Sequence, residues 1–196
     1  MRRILIAFAL TTTIASAQAG MSGTPPTASH PESHVALVAP PPPPPAGAPA
    51  EVQRNYAGVK KNILASADKM PADDLYFKPK PDVRTFARVL NHVSEAQLRV
   101  CGAVNGTPQD KLARVPSETA PKTEIVAALN ASFAECDKAY ASLTPANLTD
   151  PITLGPIGTR TRIGALWGNA SHDNEQYATL ALYLRLKDIA PPSSEK

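Results

Sequence analysis

The sequence predicts an all-α fold: a four-helix bundle preceded by an export signal and a proline-rich spacer. Three observations predict it. Four stretches of about 20 residues carry apolar side chains at spacings of three and four, the period of one helix face. Prolines lie between those stretches and not inside them. Outside residues 152–154 no segment has the pattern of a strand.

The first 19 residues have the anatomy of an export signal. Arg2 and Arg3 precede an apolar run from Ile4 to Leu10, and Ala17-Gln18-Ala19 offers a small-residue cleavage site. The run is too short for a bilayer, which needs about 20 residues. Residues 1–19 are therefore expected to be cleaved on bacterial export, leaving the mature chain in the periplasm or outside the cell. No cysteine follows the cleavage site to carry a lipid. No later stretch is long and apolar enough to span a membrane. Loss of Arg2 and Arg3 lowers the 20 basic residues to 18, against 17 acidic ones, so the mature chain is nearly neutral. With no basic run interleaved with aromatics, a nucleic-acid partner is not expected.

Residues 20–50 hold 10 of the 21 prolines, six of them consecutive from Pro40 to Pro45. Such a composition cannot bury enough apolar surface to fold, and polyproline is stiff and extended. It is expected to be a disordered spacer, with a ligand for a proline-binding domain as the alternative. His30 and His34 flank Pro31, which argues against the helix their spacing would need to share a metal. The remainder, 51–192, has the size of one domain, followed by a short tail at 193–196.

The first helix is expected over 51–70, where Val52, Tyr56, Val59, Ile63, Ala67 and Met70 form a stripe that Pro71 ends. The next segment has three prolines and reads as a loop whose Leu75, Tyr76 and Phe77 cap the core. The second helix begins near Thr85, carries Phe86, Val89, Leu90, Val93, Gln97, Val100 and Val104 on one face, and ends at Asn105-Gly106. His92 lies on a shoulder of that face. The connection over 106–120 is long for a bundle. At about 3.3 Å per residue its reach exceeds the roughly 30 Å length of a 20-residue helix. The third helix can therefore run parallel to the second.

The third helix is expected over 122–143, with a stripe of Ile125, Val126, Leu129, Phe133, Cys136, Tyr140 and Leu143. A glycine- and proline-bearing loop follows. The fourth helix, 161–187, carries Ile163, Leu166, Trp167, Ala170, Asn174, Tyr177, Ala181 and Leu184 on its stripe. On this reading Trp167 belongs to the core, the second half is buried on nearly every side, and Asp173 and Glu175 point away from the face of His172 and Gln176. Arg84, Arg160 and Arg162 stand near helix starts, either solvated or ready to meet an anion.

Two cysteines in an exported chain suggest a disulfide between Cys101 and Cys136. Two buried free thiols are the alternative. Bundles build metal sites from side chains on different helices. Outside the spacer only His92 and His172 supply imidazoles, and Gln176 follows His172 at the spacing of one helical turn.

Residues 59–97, VKKNILASADKMPADDLYFKPKPDVRTFARVLNHVSEAQ, resemble the first two helices of the DinB-like family of metal-binding bundles. Residues 172–194, HDNEQYATLALYLRLKDIAPPSS, resemble the last helix and tail of the same family. The resemblance implies an up-down-down-up bundle and one divalent ion, zinc or nickel, held by three ligands at the positions of His92, His172 and Gln176. The family has histidine at the third position. An amide is a poorer donor to zinc or nickel than imidazole, so the ion is expected to be held weakly or not at all.

Two functions follow: a divalent-metal-binding protein of unknown substrate, or a non-catalytic bundle that binds a ligand or partner beside a degenerate metal site. The small-molecule ligand or protein partner is unidentified, and a homodimer is left open. No glycine-rich phosphate loop, G-x-S-x-G or CxxCH motif is present.

Overall fold

The structure is a computed structural model that describes residues 47–195. The expected signal at 1–19 and most of the expected spacer at 20–50 lie outside the described residues. Among the described residues four α-helices make up the fold: α1 (Ala48–Lys69), α2 (Phe86–Asn105), α3 (Lys122–Ala141) and α4 (Arg162–Leu186). A small antiparallel hairpin, β1 (Pro151–Thr153) and β2 (Thr159–Thr161), precedes α4 and sets Ile152 opposite Arg160.

The helix ends follow local chemistry. α1 starts three residues inside the expected spacer, with Pro49 in its first turn, where a missing N–H leaves no bond unmade. The Thr85 hydroxyl caps α2 by accepting from the Arg88 amide at 3.0 Å. Gly106 closes that helix at φ 67°, a left-handed conformation that favours glycine. Thr161 caps α4 by accepting from the Gly164 amide at 3.1 Å.

α2 packs chiefly on α3, and α4 lies against both α1 and α2. Contacts step in the same direction along α2 and α3: Gln97 meets Ser132, and Cys101 meets Cys136. They step in opposite directions along α2 and α4, where the Tyr183 hydroxyl meets the Arg84 carbonyl and Arg162 meets the Val104 carbonyl. α1 and α3 also run oppositely, with Gln53 on the Tyr140 carbonyl and Lys122 on that of Met70. The connection after α2 turns back along the bundle, and the Asn91 amide donates to its Pro116 carbonyl at 2.9 Å. Ile63, Phe86, Leu90, Leu129, Phe133, Leu166, Leu180 and Leu184 form the dry centre.

Four apolar side chains depart from expectation. Trp167 is 53% exposed, and Leu182 and Leu186 are each 51% exposed. The buried arc of α4 is rotated from the apolar stripe because Asn169, Asp173 and Gln176 occupy part of it. Tyr76, at 46%, covers the α2–α3 connection from outside, with its hydroxyl 3.3 Å from the Thr119 and Ala120 carbonyls. Phe77 does pack inward, edge-on to Tyr183. In the expected tail Ser193 exchanges hydrogen bonds with the Tyr177 hydroxyl, and Glu195 pairs with Lys69. Among the described residues no helix is long and apolar enough to cross a membrane.

Candidate functional site

The opposed run of α2 and α4 brings the second turn of one against the third turn of the other. His92 and His172 meet there. Their Nε2 atoms are 3.1 Å apart, with ring centroids 4.9 Å apart and planes at 67°. Both side chains are about a quarter exposed, so water and small solutes reach the pair.

Behind the histidines lies a buried polar chain that the sequence pattern did not reveal. Asp173, expected to point away, is fully buried. Its Oδ2 accepts from Gln97 Nε2 at 2.9 Å, and its Oδ1 lies 3.4 Å from His172 Nδ1. Gln97 Oε1 in turn accepts from the Ser132 hydroxyl at 2.7 Å. A helix-two face that looks apolar thus contains one amide with both ends satisfied, and that amide fixes a carboxylate on α4. The signal available in the sequence was Gln97 itself, a polar residue in the middle of an apolar stripe.

A carboxylate acting as acceptor there would hold the proton on His172 Nδ1 and leave the Nε2 lone pair facing His92. Burial raises the Asp173 carboxyl above its ordinary range, against the opposing pull of its His172 and Gln97 bonds. Burial likewise lowers His92, assisted by Arg84, His172 and Arg88, so its imidazole stays neutral more readily. Glu95 opposes this weakly: it lies 3.9 Å from His92 Nδ1 and forks onto Arg88 at 3.0 and 3.1 Å.

Two imidazoles with facing nitrogens suit a shared cation. With metal–nitrogen bonds of about 2.0–2.1 Å, neighbouring ligands stand about 2.9 Å apart in octahedral and about 3.3 Å in tetrahedral geometry. The observed 3.1 Å falls between these values. Gln176 lies one turn beyond His172 on α4, is 7% exposed, and makes no side-chain hydrogen bond among the described residues. The two imidazoles fit a divalent ion, and the neutral amide fits it less well.

Cys101 and Cys136 sit at disulfide distance, with Cα atoms 4.9 Å apart, inside the limit such a bridge needs. The Tyr140 hydroxyl donates beside them to the Leu166 carbonyl at 2.7 Å and lies 3.0 Å from Asn169 Oδ1. Asn169 is buried, and its Nδ2 has no partner among the described residues. A cleft of about 210 Å³ opens next to His172, between α2, α4 and the hairpin.

A family model, the DinB superfamily, matches residues 55–180. Among solved structures, a DinB-like protein from Bacillus cereus is 14% identical with a TM-score of 0.57, covering 72% of this chain and 93% of that one. A DinB-like protein from Bacillus subtilis is 12% identical with a TM-score of 0.56, covering 70% of this chain and 92% of that one. Both are similar in fold. No curated protein matches the chain. A family match across well over half of the sequence, on a four-helix fold shared with two DinB-like structures, means that this chain belongs to the DinB superfamily.

Proposed function

We propose that the chain is an exported, divalent-metal-binding member of the superfamily, with His92 and His172 as ligands and Gln176 as a weak third donor. The observation that carries the reading is the 3.1 Å separation of the two Nε2 atoms, backed by a buried carboxylate on the far nitrogen of His172. Carboxylate–histidine pairs of this kind orient metal ligands and raise their basicity. Zinc or nickel held there would act as a Lewis acid toward a substrate oxygen or lower the pKa of a bound water. The chain's own part is to keep the His92 imidazole neutral more readily, bring the two Nε2 atoms together and leave the spot open to the cleft. The periplasm or the exterior is the proposed location, from the signal-like residues 1–19 and a cysteine pair of the kind kept in oxidising compartments.

A second reading is favoured by Gln176. Where an amide replaces imidazole, the bundle would be a non-catalytic ligand- or partner-binding protein with a degenerate site. Metal content of the full chain, purified without a histidine tag, separates the two. The first reading expects zinc or nickel in wild type, its loss in His172→Ala, and tighter retention in Gln176→His. An empty wild type whose Gln176→His variant gains metal establishes the second. Equal metal in wild type and His172→Ala refutes the ligand assignment.

A further inference from the structure

The cleft beside His172 carries chemistry that the histidine pair does not use. Its walls are largely apolar, with Val100 from α2 and Leu154 and Ile157 from the hairpin region. Two arginines also line it, Arg99 from α2 and Arg160 from β2. Both are exposed, and neither side chain has an ion pair or hydrogen bond among the described residues. No acidic side chain lines the cleft among the described residues. Asn169, 3% exposed, contributes to the lining and carries the buried Nδ2 that lacks a partner.

Two uncompensated guanidinium groups beside an apolar cavity select for charge and for shape. A guanidinium fork matches a planar carboxylate in two parallel hydrogen bonds. The apolar walls would gain little from a small hydrated ion such as phosphate, but they favour a hydrocarbon body. The volume limits that body. A cavity of about 150 Å³ holds a benzene ring, so about 210 Å³ holds one ring with a short acidic substituent but not two rings.

We propose that this cleft binds a small aromatic monocarboxylate, its carboxylate between Arg99 and Arg160 and its ring against Val100, Leu154 and Ile157. Of the histidine pair only His172 borders the cleft, so binding does not require a metal.

The test is calorimetric titration of the full chain in the presence of a chelator, with benzoate, benzyl alcohol and inorganic phosphate as probes. Benzoate is expected to bind at least about tenfold more tightly than benzyl alcohol, and phosphate not at all. Arg99→Gln and Arg160→Gln should each weaken benzoate about three- to tenfold, the range for partly exposed charged hydrogen bonds. The double variant should lose the preference for benzoate over benzyl alcohol. Gly168 also lines the cleft, and a Cβ added there meets no atom within 4 Å. Gly168→Leu should therefore fill the space and abolish binding of both organic probes while leaving the helix content intact. The proposal is overturned if wild type shows no benzoate binding at millimolar concentration. It is also overturned if phosphate or benzyl alcohol binds as tightly as benzoate, or if the double arginine variant keeps the preference. Because metal is withheld, these outcomes are independent of whether His92 and His172 hold an ion.

Discussion

Replacing Asp173 by asparagine separates the stability of the fold from the chemistry of its histidines. The side chain is fully buried, and burial is the largest influence on its carboxyl, raising its pKa. A group whose folded pKa is raised contributes stability that is complete below its unfolded pKa and lost as pH rises through the folded value. Wild type therefore carries a cost at neutral pH that Asp173→Asn removes. The amide is isosteric, and its oxygen can keep the 2.9 Å bond from Gln97. The expected gain is on the order of 1 kcal/mol at pH 8, a rise of about 4 °C in Tm for a domain of this size. It should shrink toward zero in acid, where the wild-type carboxyl is protonated.

The histidine should respond in the opposite sense. In Asp173→Asn an amide N–H faces Nδ1 and moves the His172 proton to Nε2, the nitrogen that faces His92 3.1 Å away. Loss of an outer-shell partner costs about 10- to 100-fold in metal affinity. The 3.4 Å His172–Asp173 contact is long for a hydrogen bond and places the expectation near tenfold. Urea unfolding at pH 8 and pH 5 with chelator reads the first effect. Zinc competition against a chromophoric chelator, in wild type and in the Gln176→His background, reads the second. A variant less stable than wild type at pH 8 would refute the burial argument, and unchanged zinc affinity in both backgrounds would refute the tautomer argument.

Two further outcomes are expected. His92 is held below its ordinary pKa, so it contributes stability above about pH 6.5 that is lost as pH falls through its folded value; with chelator present, wild type should lose stability between pH 7 and 5 faster than His92→Gln, and parallel pH profiles would contradict this. The Cys101–Cys136 pair closes a loop of sequence separation 35, for which the chain-entropy relation gives about 4 kcal/mol; a Cys101→Ala, Cys136→Ala double variant should lose up to that amount in denaturant unfolding, and no loss would mean that the pair is not bonded in the native protein.

Much of the scaffold is legible because its signals are local. Thr85 and Gly106 bracket α2 by the backbone groups they satisfy, and Pro71, Pro121 and Pro145 flank helices whose interiors they cannot enter. The length of the α2–α3 connection makes a parallel pair reachable. The orientation of α4 is not legible. Apolar periodicity assumes that polar residues face water, and Asn169, Asp173 and Gln176 do not. Asn169 and Asp173 have partners on other helices, Tyr140 and Gln97, and such pairing leaves no trace in the spacing of either helix. Trp167 reads as core for the same reason: its side of the stripe looks apolar, while the true interior lies around the polar residues. His92 and His172 stand out as the only imidazoles outside the spacer, and the family resemblance gives them a shared role. The carboxylate behind His172 emerges from the three-dimensional arrangement alone.

A bond between Cys101 and Cys136, which stand at disulfide distance, would give the chain an unusual tolerance. The segment from 106 to 121 travels outside the pair of rods that such a bond would clamp, so severing it by protease would leave two fragments covalently joined late in α2 and late in α3. Such a nicked molecule would migrate as a single species until a reductant is added, and its helices would keep their neighbours.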